Sequence, residues 1–326
     1  MRAFVVIASD DTVETSVLDE PMPQHDDVIV KVEWSGVNFK DSMVVAPSSR
    51  VRRSARLIGG VDAAGIVVQS VDPRLPVGTP VAVHGGDMGV GRNGGFAEYV
   101  ASPSRYVTAL PSNVTTRSAM ILGTAGFTAI ASVRALELHG LTPRDGEVLV
   151  TGATGGVGSW AVAALAARGY HVVASTGSAT SHEWLRARGA SSIIGRDDIA
   201  DRPKRVLGTE RWAGAIDCVG GTTLHQILRS LRYGAAVAAS GLVASAELAT
   251  NVYPFITRSV ALLGIDAVEA TATTRHDTWR LVSDIIDDID VESLVDSEIV
   301  LEGIPEALRT IGDGATQGRI LVRPTN

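Results

Sequence analysis

Three stretches of the sequence bring together residue types whose spacing can do chemistry. The first is Val148-Leu149-Val150-Thr151-Gly152-Ala153-Thr154-Gly155-Gly156-Val157-Gly158. A Val-rich run ends in Thr and a glycine-dense turn, and the Ala-rich residues Ser159 to Ala167 then read as a helix. In a strand–turn–helix unit, glycines let the backbone approach a pyrophosphate. The helix N-terminus adds unpaired N–H groups and the positive end of its dipole. The spacing is G-x-x-G-x-x-G (Gly152, Gly155, Gly158) instead of the usual G-x-G-x-x-G. Its meaning therefore comes from the strand before it and the helix after it. Gly155, Gly156, Val157 and Gly158 are the candidate pyrophosphate seat.

The second stretch follows the next expected strand, His171–Ser175, and reads Thr176-Gly177-Ser178. A site for NADH usually has Asp or Glu here, bonded to the ribose hydroxyls of the adenosine. This chain offers hydroxyls and a glycine, and its next carboxylate is Glu183. A 2′-phosphate meets no repulsion there, and Arg196, after the following strand, is placed to neutralise it. Thr176, Gly177, Ser178 and Arg196 thus point to NADPH over NADH, although the same residue types also build plain turns. Asp217-Cys218-Val219-Gly220-Gly221 and Ala239-Ser240-Gly241-Leu242 end two further expected strands, where ligands of parallel sheets bind.

The third stretch is Asn38-Phe39-Lys40-Asp41, with Arg50, Arg52, Arg53 and Arg56 shortly after it. A run of arginines is commonly a solvated loop. Guanidinium forks also bind phosphate, and beside a nucleotide pocket they are expected to grip a phosphorylated substrate tail.

Other chemistries are disfavoured. Cys218 is the one cysteine, which rules out an internal disulfide and a multi-cysteine zinc site. The histidines at 25, 84, 139, 171, 182, 225 and 276 show no ligand spacing with Cys or carboxylates, so no metal site is expected. No Gly-x-Ser-x-Gly elbow occurs, which leaves a Ser/His/Asp hydrolase poorly supported. The net charge of −7 disfavours a nucleic-acid partner. The opening residues turn polar too soon for a signal peptide, and no apolar run is read as reaching the ~18 residues of a membrane span. A cytoplasmic location without membrane association is expected.

The elements that must hold these residues follow from periodicity. Up to about Pro111 short β-branched runs (Phe4–Ala8, Val28–Trp34, Ile66–Gln69, Pro80–Val83) alternate with turn signals, the mark of a β-rich, barrel-like domain. The glycine-rich residues 85–95 are expected to turn sharply with some mobility. Ser118 to Leu138 reads as a helix interrupted by Gly123 and Gly126, where close packing or ligand approach explains the glycines. From Val148 on, strands and helices alternate, which predicts right-handed crossovers and a doubly wound parallel sheet. The tract from Asp201 to Trp212 is a weak helix, and the strand at Val260–Ile265 is apolar. The tail is expected to rejoin the first domain. The fold class is α/β, with residues 1–118 and 256–326 forming a β-rich catalytic and substrate domain and 119–255 an inserted Rossmann-type NADP(H) domain.

This order of domains resembles the medium-chain dehydrogenase/reductase superfamily, with its GroES-like barrel. The metal-ligand positions of its zinc alcohol dehydrogenases correspond to Asn38-Phe39-Lys40-Asp41 and Gly59-Gly60-Val61-Asp62-Ala63-Ala64-Gly65, which supply no ligands. The chain therefore resembles the zinc-free quinone- and enoyl-reductase branch, and within it the NADPH-dependent acryloyl-CoA reductases. Val37–Asp41, Gly94–Glu98, Gly123–Ala129, Thr151–Ser159, Trp212–Gly220, Tyr253–Arg258 and Gln317–Arg319 carry that resemblance. It implies cofactor contacts at Phe39, Thr124, Gly155–Gly158, Thr176–Ser178, Arg196, Leu242 and Ile256. It also implies a catalytic corner at Asn38, Phe39, Lys40 and Asp41, a CoA thioester held by the arginines, and a homodimer. A quinone or alkenal reductase is the alternative. The family usually has Tyr at Phe39, Arg at Ser178 and Pro-Gly-Ile-Asp at 59–62. With Phe39 lacking a hydroxyl, no acid role is expected there, and water is the expected proton donor.

Overall fold

The computed structural model describes residues 1–9, 12–24, 26–199 and 206–325. His25 and residues 201–205 of the expected weak helix lie outside the described residues; its remainder is irregular until a strand starts at Trp212. The chain forms two compact units. One comprises Met1–Ala125, Ala267–Ile286 and Val291–Asn326, the other Gly126–Asp266 and Asp287–Asp290.

In the first unit β1 (Arg2–Ala8) pairs antiparallel with β2 (Val13–Asp19). Then come β3 (Val28–Val37), α1 (Phe39–Val45) and β4 (Arg56–Ile58), which returns beside β1. After β5 (Asp62–Ser70), β6 (Pro80–His84), β7 (Tyr99–Ser102) and β8 (Val107–Ala109), α2 (Thr116–Leu138) begins. Residues 85–95 are not a loose loop. A Cβ on Gly94 would strike the Gly60 carbonyl oxygen, and one on Gly60, at φ +97°, would meet the Phe96 nitrogen at 2.6 Å. Gly94, Gly95 and Phe96 donate to the carbonyls of Ile58, Gly60 and Gly59. These glycines allow backbone to pack on backbone, and the expected mobility is replaced by a hydrogen-bonded clasp.

The second unit alternates as expected: β9 (Glu147–Val150), α3 (Gly156–Ala167), β10 (His171–Ser175), α4 (His182–Ala187), β11 (Ser192–Ile194), β12 (Trp212–Asp217), α5 (Gly221–Ser230), β13 (Leu231–Ala239), α6 (Tyr253–Arg258) and β14 (Ala261–Gly264). Its six-stranded sheet has the order β11-β10-β9-β12-β13-β14, all parallel. That is the doubly wound order with a crevice where the direction of winding reverses, beside β9. The central strands are apolar over most of their length, as in sheets covered on both faces, and every residue of β12, its terminal Asp217 included, is buried. β14 extends this sheet, so the unit continues past residue 255.

The chain then returns to the first unit through α7 (Ala272–Ile285), β15 (Val295–Val300), α8 (Ile304–Gly312) and β16 (Arg319–Arg323). β16 and β15 complete a sheet ordered β15-β16-β3-β5-β6-β8, with β7 also on β3. Its interior is packed by Val28, Val30, Val32, Val67, Val81 and Val83. α2 is long and apolar enough to span a membrane, contrary to the reading of the sequence, but 83% of that window is buried inside the fold. Its apolarity is that of a core helix.

Candidate active site

In the first unit the catalytic corner is the turn from β3 into α1. Asn38 is the helix N-cap, extended at φ −118°, and Asp41 reaches back so that one carboxylate oxygen accepts from the Asn38 N–H at 2.8 Å. The other accepts from the Val61 N–H at 3.1 Å. A carboxylate at this position also meets the positive end of the helix dipole. Burial, and then the neighbouring Asp62 carboxylate, nevertheless push Asp41 up to about 7.

The side chain of Asn38 is fully engaged. Its Nδ2 donates to the Gly36 carbonyl at 3.1 Å and to Asp62 Oδ2 at 3.0 Å, while Oδ1 accepts from Arg319 Nη1 at 3.0 Å. Both amide hydrogens are spent within the fold, so Asn38 has none to give a substrate carbonyl. Asp41 is likewise buried with both oxygens bonded. The corner thus has two residues that hold, Asn38 and Asp41, and one that is presented, Phe39, 37% exposed; Lys40 between them is half-buried. Thr124, the other first-unit residue expected at the cofactor, follows a kink in α2 at Gly123 (φ +52°), and its N–H donates to Asp62 Oδ2 at 2.9 Å.

The four arginines separate in the same way. Arg52 Nη1 donates to the carbonyls of Val44 and Ala46 at 2.6 and 3.1 Å, capping the end of α1. Arg56 forms an ion pair with Glu20. Two of the expected phosphate ligands are thus occupied in the fold. Arg50 and Arg53 are exposed, with no side-chain hydrogen bond or ion pair among the described residues.

In the second unit the expected cofactor residues collect at the carboxyl ends of the parallel strands. Gly152 turns the chain after β9 at φ +58°, and α3 opens at Gly155 with no side chain capping its first N–H groups. A Cβ on Gly155 would meet only the Gly152 oxygen at 3.4 Å, whereas one on Gly158 would run into that oxygen and the Ala153 Cα. Thr151 Oγ1 donates to Asp217 Oδ1 at 2.6 Å, and Asp217 Oδ2 accepts from the Gly220 N–H at 2.9 Å, which staples the ends of β9 and β12. Burial raises Asp217, and it pushes the Cys218 thiol up to about 12, so Cys218, half-buried, stays a protonated and unreactive thiol. After β10, Thr176 Oγ1 accepts from the Ser178 N–H at 3.0 Å, and the hydroxyls of Ser178, Thr180 and Ser181 bond to one another. The Arg196 guanidinium lies directly over Gly177: a Cβ there would meet Nε at 2.7 Å. Leu242 and Ile256 are 52% and 71% exposed. An uncapped helix end, a glycine floor and a guanidinium beside hydroxyls fit a dinucleotide with a 2′-phosphate.

The sequence reading missed Arg319 and gave Asp62 no role. Each opens a strand, β16 and β5, and each lies in a stretch already singled out for the resemblance, 317–319 and 59–65, but nothing in the sequence links the two. Among the described residues no group of three or more His, Cys, Asp or Glu is arranged to hold a metal ion.

Comparison with known proteins agrees with this geometry. Residues 24–112 match the alcohol dehydrogenase GroES-like domain and residues 156–287 the zinc-binding dehydrogenase domain. A Bacillus subtilis protein named as a quinone oxidoreductase is 43% identical over 94% of this chain and 93% of its own length. Its crystal structure with NAD bound superposes with a TM-score of 0.95, covering 99% of this chain and 98% of that one. An Escherichia coli protein named as an acrylyl-CoA reductase is 41% identical over 99% of both chains. An E. coli K-12 crystal structure with NADPH bound, at 40% identity, has a TM-score of 0.93 over 99% of this chain and 100% of that one. Fold, glycine turn and relatives together show that the chain belongs to the medium-chain dehydrogenase/reductase superfamily.

Proposed function

We propose that the chain is an NADPH-dependent reductase that delivers hydride to the β-carbon of an α,β-unsaturated acyl-CoA, acryloyl-CoA first, without a metal. The bound cofactor supplies the hydride. The chain's own residues bind and orient. The first turn of α3 receives the pyrophosphate, and Arg196 with the Ser178 and Thr180 hydroxyls receives the 2′-phosphate. Phe39 offers an apolar face and no proton. Charge that develops on the thioester oxygen is met by Lys40 or by water, since Asn38 has no free hydrogen. Water supplies the proton to the α-carbon.

The observation that carries the CoA ester is the pair of exposed guanidinium groups of Arg50 and Arg53, in the segment that follows α1. Identity of 41% to the E. coli protein named for acrylyl-CoA reduction supports it. The Bacillus relative favours a second reading, a quinone reductase with the same cofactor site and no phosphate grip. The same reading takes the enzyme as a cytoplasmic homodimer that pairs through β14, the edge strand of its sheet.

Steady-state kinetics with acryloyl-CoA, crotonyl-CoA and a quinone, each with NADPH and NADH, test the assignment. Turnover of acryloyl-CoA with NADPH is expected, and rapid quinone reduction without CoA-ester turnover would overturn the substrate. Replacing Arg50 and Arg53 with Ser is expected to raise the CoA-ester KM on the order of tenfold and leave the quinone KM unchanged.

A further inference from the structure

Asp62 and Arg319 form a fully buried ion pair, Oδ2 to Nη2 at 3.6 Å, beneath the corner that presents Phe39. The fold makes room for it at two glycines. A Cβ on Gly36 would meet Arg319 Nη2 at 2.8 Å, and one on Gly123 would strike both Arg319 and Asp62. As a source of stability the pair is poor. Its separation is long for a charge-assisted bond, and Asp62 Oδ1 has no hydrogen-bond partner.

As a jig it is well made. Arg319 donates to the carbonyls of Val37 and Ile121 at 3.4 and 3.2 Å and to Asn38 Oδ1. Asp62 accepts from Asn38 Nδ2 and from the Thr124 N–H. A guanidinium only donates and a carboxylate only accepts, so the two charges fix which way the Asn38 amide faces. The same two groups tie the end of β3, where Phe39 begins, to the kink of α2, where Thr124 begins.

We propose that Asp62 and Arg319 are positioning residues for catalysis, a pair that sets the Asn38 amide and the Thr124 backbone and through them the placement of Phe39 and Thr124. The proposal rests on the reading above that Phe39 and Thr124 touch the nicotinamide cofactor. A structural pair would affect only how much protein is folded. A positioning pair affects what the folded protein does.

The test uses the full chain with Arg319→Lys and, because a lone substitution can strand a buried charge, the double variant Asp62→Asn/Arg319→Gln, which removes both charges together. Thermal midpoint, the emission of bound NADPH, and kcat and KM for the substrate the wild type reduces best are measured. A lysine keeps the charge but cannot reach three acceptors at once. In the folded fraction, kcat is expected to fall on the order of 10²-fold, as a ~1 Å misplacement costs, with substrate KM held within about threefold and nicotinamide emission altered. Unchanged kcat and emission in both variants, whatever the thermal midpoint, would overturn the pair's role. A wild type that binds NADPH but reduces neither substrate class sinks the function instead, and nicotinamide emission still decides the pair. A wild type that binds no nicotinamide cofactor overturns both.

Discussion

Arg196 is the residue on which cofactor choice is expected to turn. No carboxylate follows β10 before Glu183, and the Ser178 side chain supplies only a hydroxyl. The Arg196 guanidinium, which lies on Gly177, is therefore the group expected to meet the 2′-phosphate. Charge-assisted bonds of this kind contribute ~1.5–3 kcal/mol. Arg196→Ala is expected to raise the NADPH KM on the order of tenfold or more and to leave the NADH KM in place. Equal shifts for both cofactors would remove Arg196 from the 2′-phosphate. The place of Arg196 beside Gly177 was legible in the sequence because residues 176–178 lie nearby along the chain in one β-α-β unit. Asn38 was visible as a polar residue in the right corner, but its use was not. What commits its amide is Arg319, 281 residues away, and Asp62, 24 residues away. Arg52 and Arg56 were misjudged for the same reason: the carbonyls at the end of α1 and the Glu20 carboxylate claim them, and neither contact leaves a pattern in a single sequence.

At the scale of the element, three of the four glycines of the β9–α3 turn do three separate things. Gly152 adopts a positive φ, Gly158 lets α3 settle on the end of β9, and Gly155 faces open space at an ordinary φ of −77°. A methyl group at 158 collides with backbone that cannot move aside, so Gly158→Ala is expected to destabilise by ~1–3 kcal/mol. A methyl at 155 makes only an ordinary contact with the Gly152 oxygen but enters the proposed seat of the pyrophosphate. Gly155→Ala should keep the thermal midpoint of the wild type and weaken cofactor binding, read by nicotinamide fluorescence. Equal loss of stability in the two variants would mean that the seat is merely structural. The alternation of strands and helices around this turn was readable because each element there is apolar with its own period. The helix α1 was not. It is short, and it rests on the Asp41 carboxylate at its start and the Arg52 guanidinium at its end.

For the whole molecule, stability should respond to pH through two buried groups of the first unit with opposite sign. Burial, and then the Arg275 guanidinium that contacts its ring, hold His84 well below the ordinary imidazole value of 6.5. The unfolded chain binds that proton more readily than the native one. The contribution of His84 is therefore present above pH 6.5 and is lost as pH falls. Asp41 does the reverse. Its folded value of about 7 lies above the ordinary 3.8, so its contribution is full below 3.8 and is lost as pH rises to about 7. Between about pH 4 and 6.5 the two oppose each other and flatten the profile of the wild type. Removing one should expose the other. Asp41→Asn is expected to make stability rise more steeply with pH than in the wild type, and His84→Gln to make it rise less or fall. Chemical denaturation of the three proteins across that window reads both slopes. Three parallel profiles would show that neither group changes its proton affinity on folding. Slopes that separate in the expected directions would place both titrations in the half of the molecule that carries the catalytic corner.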